Sequence, residues 1–160
     1  MKLDKPNQQT LAAWAADCAE RVLPLFESRR PHDDRPRRAI ELLREWMRRG
    51  EVSMAEVRTI SLAAHAAARD VADDPAAAAA AHAAGQAAGT AHSPRHAGGA
   101  SWYAARAVGF AAPADESGAA MAHEHEWQTT HIPEELWPFV FPPRTWPVKL
   151  PKPRRRVTTA

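Results

Sequence analysis

The 160-residue sequence has a single cysteine, and no apolar run in it approaches the roughly 20 residues needed to cross a bilayer. Cys18 can form no internal disulfide and cannot by itself make a thiolate zinc site. It falls on the apolar stripe of a predicted helix, where a buried structural thiol is expected. β-branched residues are scarce and no segment alternates apolar and polar side chains, so a sheet is not expected. A Gly-rich phosphate loop, a GxSxG elbow and a CxxC pair are also missing, which removes the commonest sequence signs of nucleotide, hydrolase and redox chemistry. The opening MKLDKPNQQT lacks the basic-then-apolar pattern of a secretory signal. A soluble cytoplasmic protein without membrane association is expected.

No acidic residue occurs after Glu135. Residues 1–135 hold 15 Lys and Arg against 19 Asp and Glu, a net −4, while residues 136–160 hold six basic residues, a net +6, and the two sum to the overall +2. The pI near 9.0 therefore belongs to the C-terminal stretch. A mildly acidic body is a poor nucleic-acid binder. Beyond Phe141, PPRTWPVKLPKPRRRVTTA is rich in proline and basic residues, so residues 142–160 are expected to be an extended or disordered tail on a helical domain at 1–141. Its KLPKPRRR is a candidate for weak contact with phosphates, nucleic acid included, or with an acidic protein surface.

What is present is helical. Leu11, Trp14, Ala15, Cys18, Val22 and Phe26 recur at three- and four-residue steps, and Pro24 inside that pattern predicts a kink or an end to the helix. Asp33 or Asp34 with Pro36 opens a second helix whose stripe is Ile40, Leu43 and Met47, and Gly50 stops it. Ser53 and Glu56 form a capping box before Val57, Ile60 and Ala64, with the helix expected to reach about Ala72. Asp74 and Pro75 open a fourth helix. AHSPRH, residues 91 to 96, restarts the chain as a fifth, with Ser93 as cap and Pro94 in the first turn, running to about Ala112. A sixth is expected from Asp115 to Thr130 and a short one from Pro133. The fold class is all-α, a single compact bundle of about six to seven helices.

Between Ser61 and Phe110, 22 of 50 residues are alanine, joined by glycines at 85, 89, 98, 99 and 109. Side chains this small let helix axes come closer than the usual ~8–10 Å, so tightly packed central helices are expected, with Trp14, Trp46, Trp102, Tyr103, Phe110 and Trp127 filling the gaps around them.

Within this stretch His92 and His96 are four apart, the spacing of helical metal ligands if Pro94 leaves that turn helical. His65 or His82 could add a third nitrogen, and a metal-binding helical protein or small metalloenzyme using His65, His92 and His96 is the alternative reading. The HExxH glutamate is absent, because residues 93 to 95 are Ser, Pro and Arg. The preferred reading is that His65 and His92 hydrogen-bond between close-packed helices, as buried polar groups must. Arg69 could pair with Asp70 or Asp17. HEHEWQTTH reads as a solvated helix face around a buried Trp127.

Taken in order, WAADCAERVLPLFE, DDRPRRAIELLREW, AAHAAAR, AAGQAAGTAH, HAGGASWYAARA, EWQ and IPEEL resemble the immunity-5-like family of immunity proteins from bacterial polymorphic toxin systems. The resemblance runs from about Leu11 to Phe141, and Pro24, His65, Arg69, His92, His96 and Tyr103 fall within its motifs. It implies a small helical cytoplasmic protein that neutralises a cognate toxin by binding it, with no catalytic residues and no cofactor, and with those motif residues in structural roles. An acidic body would then be attracted to a basic toxin surface.

Overall fold

Three helices open on an aspartate and a proline. In the computed structural model, which describes residues 3–141, Asp4 accepts the Asn7 amide at the start of α1 (Lys5–Glu27), with Pro6 in the first turn. Asp34 and Pro36 begin α2 (Arg35–Arg49), although the carboxylate that takes the Arg35 amide is Asp33. Gly50 ends α2 at φ +70°, a left-handed turn that a residue without Cβ adopts freely. Ser53 caps α3 (Met54–Asp70) through the Glu56 amide. Asp74 caps α4 (Pro75–Gly89) through the Ala77 amide, and Pro75 stands first in the helix, where its missing N–H costs nothing. There follow α5 (His96–Ala111), α6 (Ser117–Thr130), a 3₁₀ turn at Glu134–Leu136 and α7 (Trp137–Val140). Among the described residues there are thus seven α-helices and no strand, as the sequence pattern predicts.

Pro24 lies in the last turn of α1, and its carbonyl accepts both the amide and the hydroxyl of Ser28, so the helix closes there. The AHSPRH restart is real, but Ser93 and Pro94 do not open the new helix. The amides of His92 and Ser93 both return to the Gly89 carbonyl, which winds the chain past the end of α4. Ser93 and Pro94 then lie in the turn, their carbonyls accepting from His96 and Ala97, and α5 begins at His96 without a side-chain cap. The expected tail, with its KLPKPRRR, lies outside the described residues.

α4 occupies the middle, packed by α1, α2, α3 and α5. Alanine on every side makes this possible: Ala77, Ala80, Ala81, Ala83, Ala84, Ala87 and Ala88 are all fully buried. The larger core side chains come from α1, where Leu11, Trp14, Val22, Leu23 and Phe26 are buried together with Cys18. Burial, and after it the charges of Glu124 and Asp17, push the Cys18 thiol well above its ordinary value, so it remains a protonated packing group.

α6 departs from its sequence reading. Its inward face carries Met121, Glu124 and Gln128, and Trp127 is only half-buried. The Glu124 carboxylate receives Nε and Nη2 of Arg21, and the Arg21 guanidinium lies 4.0 Å over the Trp127 ring. The side-chain amide of Gln128 donates to the Ser101 carbonyl at 2.9 Å, while the Gln128 backbone carbonyl accepts from Nε1 of Trp14. A tertiary charge pair and an amide that bridges to α5 turn these polar residues inward.

α7 closes against α5 at Gly98, where an added Cβ would lie 2.8 Å from the Val140 carbonyl oxygen. Gly98→Ala gains roughly 1 kcal/mol of helix propensity but overpacks against rigid backbone, which costs about 1–3 kcal/mol. A net fall in the urea midpoint is expected; an equal or higher midpoint would show that α7 yields at little cost.

Candidate functional site

The polar residues of the central helices gather where α3, α4 and α5 meet, and glycine decides where each one lies. A Cβ at Gly85 would stand 2.8 Å from Cε1 and Nε2 of His65. At Gly89 it would stand 2.9 Å from Cγ of His96, and at Gly99 2.6 Å from Oε1 of Gln86. Each side chain therefore rests directly on the backbone of the facing helix. The hydroxyl of Ser61 donates to the Gly85 carbonyl at 2.8 Å, tying α3 to α4 one turn before His65.

His65 and His82 meet Nδ1 to Nδ1 at 2.7 Å. With both rings neutral, one carries its proton on Nδ1 and donates, while the other accepts on a bare Nδ1 and carries its proton on Nε2. His82 stacks on Tyr103 of α5, centroids 4.9 Å apart, and the Trp102 ring meets Tyr103 edge-on at 4.8 Å. A second bond runs from Nδ1 of His96 to Oε1 of Gln86 at 2.7 Å, which places the neutral His96 proton on Nδ1. The cluster is held neutral. Burial, then the charges of His82 and Arg69, lower the His65 pKa to about 4. Burial and Arg69 lower that of His82, and burial and His92 lower that of His96.

Of the residues singled out in the sequence, His65, His96 and Tyr103 belong to this cluster. His92 does not take the bonding role expected of it. It is exposed in the turn after α4, meeting His96 edge-on with centroids 5.9 Å apart, and His96 makes the interhelical bond. The cause is the turn itself, which takes residues 90–95 out of helix, so that His92 and His96 share no helical face. Arg69 is exposed, and the carboxylates considered for it go elsewhere, Asp70 to Arg35 at 2.7 Å and Asp17 to Arg44 at 3.0 Å. Pro24 closes α1. Among the described residues no three His, Cys, Asp or Glu side chains are grouped to hold a metal ion. Gln86 is absent from the candidate residues of the sequence and His82 enters there only as a possible third ligand, yet His82, Gly85, Gln86 and Gly89 follow the three- and four-residue steps of one helical stripe.

Beside the cluster a groove of about 440 Å³ opens between α3 and the α4–α5 turn, with Gly89 and His96 in its lining. That volume lies within the ~300–1,000 Å³ range of protein binding pockets.

A family model described as "Imm-5 like putative immunity protein" matches residues 1–135. No curated protein and no solved structure matches the chain. Among the described residues no helix is long and apolar enough to cross a membrane.

The lowered histidines give stability a direction with pH. Each is harder to protonate folded than unfolded, so the unfolded chain takes up protons first as the pH falls below 6.5. The stability carried by the neutral rings is complete above that pH and is lost on the way down through about 4. Carboxylates held low by arginine, Asp33 and Asp73, lose their share only below 3.8. Tm measured by circular dichroism is expected to fall between pH 7 and pH 4.5, and His65→Leu to start lower with a flatter profile. A flat profile in the unaltered protein would contradict the neutral cluster.

Proposed function

The chain belongs to the Imm-5-like family of immunity proteins, and we propose that it binds a cognate bacterial toxin in the cytoplasm and silences it by covering a surface, without catalysis. The family match over residues 1–135 carries this reading, since it takes in every helix from α1 to α6. The chemistry of the central cluster supports it. Its histidine and glutamine groups are spent on one another across helices, and the Cys18 thiol is buried and protonated, so their visible task is to hold helices in register.

The charge balance supports association as well. A body of −4 over residues 1–135 attracts a basic partner at long range, an effect on encounter rate that salt screens over about 8–10 Å. Mixed with the purified toxin domain encoded beside its own gene, the protein is expected to form a complex that survives size-exclusion at micromolar concentration and abolishes toxin activity. Its association rate should fall as salt is raised. Failure to form any complex at that concentration would overturn the reading.

A further inference from the structure

We infer that the groove between α3 and the α4–α5 turn is the docking site for the toxin, and that it receives a segment presenting an apolar side chain next to a carboxylate. This rests on the immunity reading. Among the described residues the exposed large hydrophobics are Met54, 46% exposed, and Leu62, 58% exposed, and both line this groove. A scattered surface leucine needs no explanation, but two large apolar residues converging on one concavity mark a contact surface.

The sequence of α3 shows how the surface is made. Val57, Ala64 and Ala68 face the core. Met54, Arg58 and Leu62 follow one another at four-residue steps along a second stripe, apolar, basic, apolar, that the bundle does not cover. Gly89 lets the His96 ring seat directly on the α4 backbone, so that both form part of the lining. The His96 ring is pinned by Gln86, so the floor is set before a partner arrives.

Charge decides which partner fits. Six arginines, at 21, 29, 35, 37, 44 and 49, form ion pairs with carboxylates of the chain itself. Arg58, like Arg30, Arg38, Arg48, Arg69, Arg95 and Arg106, joins none of the ion pairs among the described residues, and of these it is the one that lines the groove. An unmatched cation between two apolar residues, on a body of net −4, calls for a carboxylate from outside. Apolar contacts around that pair would exclude water and strengthen it, in the manner of an interface hot spot. The two charge effects act at different ranges: the body draws a basic toxin in, and Arg58 fixes the register of one acidic and apolar segment at contact.

The test uses the full chain and the purified toxin domain encoded beside its gene, titrated by calorimetry. Leu62→Arg and Arg58→Glu are exposed changes, and circular dichroism should show both folded with Tm unchanged. Each is expected to weaken toxin binding by about 30-fold or more, whereas Glu41→Lys on the exposed face of α2 stays within about threefold. Toxin binding by the unaltered protein that both groove variants retain within about threefold would overturn the site while leaving the immunity reading intact. If instead sedimentation shows a dimer of the chain that Leu62→Arg dissolves without affecting toxin binding, the groove serves a second copy and the assignment to the toxin is wrong. No binding by the unaltered protein would remove the immunity reading and this inference with it.

Discussion

The bundle depends on how closely α3 and α5 approach the backbone of α4. That approach is possible only where a Cβ is missing, at Gly85 and Gly89 on α4 and at Gly99 on α5, since at each of them a methyl group would lie 2.6–2.9 Å from a polar side chain of the facing helix. A glycine inside a helix is unfavourable by roughly 1 kcal/mol relative to alanine, and here the contact of imidazole or amide with backbone offsets it. The polar groups brought in this way are half-buried or deeper and need partners, and they find them across helices, His65 with His82 and Gln86 with His96. The first bond fails if α3 slides by a turn along α4, and the second if α5 does. Alanine alone would pack equally well in several registers, so the histidines and glutamine supply the specificity that the small residues lack.

Around this centre the charges sort by what they hold. Arg35 joins Asp33 and Asp70 and Arg29 meets Asp73 near the ends of α1, α2 and α3, while Arg44 of α2 bridges Asp17 and Glu20 along α1, all at largely solvated sites where each pair contributes little. Arg21 with Glu124 is different. The carboxylate is buried while the guanidinium, 35% exposed, lies on Trp127, so loss of Arg21 would strand the Glu124 charge against the core, whereas loss of Glu124 would leave an arginine that water still reaches. Arg58 shares the lack of an ion pair with several other arginines, and what sets it apart is its place in the groove beside Met54 and Leu62.

Much of the architecture was legible because the helix starts are written in short-range chemistry. Asp33 or Asp34, Ser53 and Asp74 mark the second, third and fourth helices, and the α1 stripe from Leu11 to Phe26 names its buried face correctly. Reading failed where facing depends on partners far away in sequence. Glu124 and Gln128 look like solvent residues in one dimension and turn inward because Arg21 and Ser101 await them. In α4 alanine covers all but one stripe, so hydrophobic periodicity marks no single buried face, and the His82, Gly85, Gln86, Gly89 stripe shows where the neighbours come close. Whether His92 and His96 share a helical face depends on whether Pro94 sits in a helix, and the winding of the chain past Gly89 puts Pro94 in a turn.

Amide hydrogen exchange, compared between the free protein and its complex with the toxin domain, would map the buried surface directly. Protection is expected to rise in the first turns of α3, residues 54–58, and in the turn at 90–95, with the exposed face of α2 unchanged. Protection confined to α1 and α2, with residues 54–58 and 90–95 exchanging as they do in the free protein, would contradict docking at the groove.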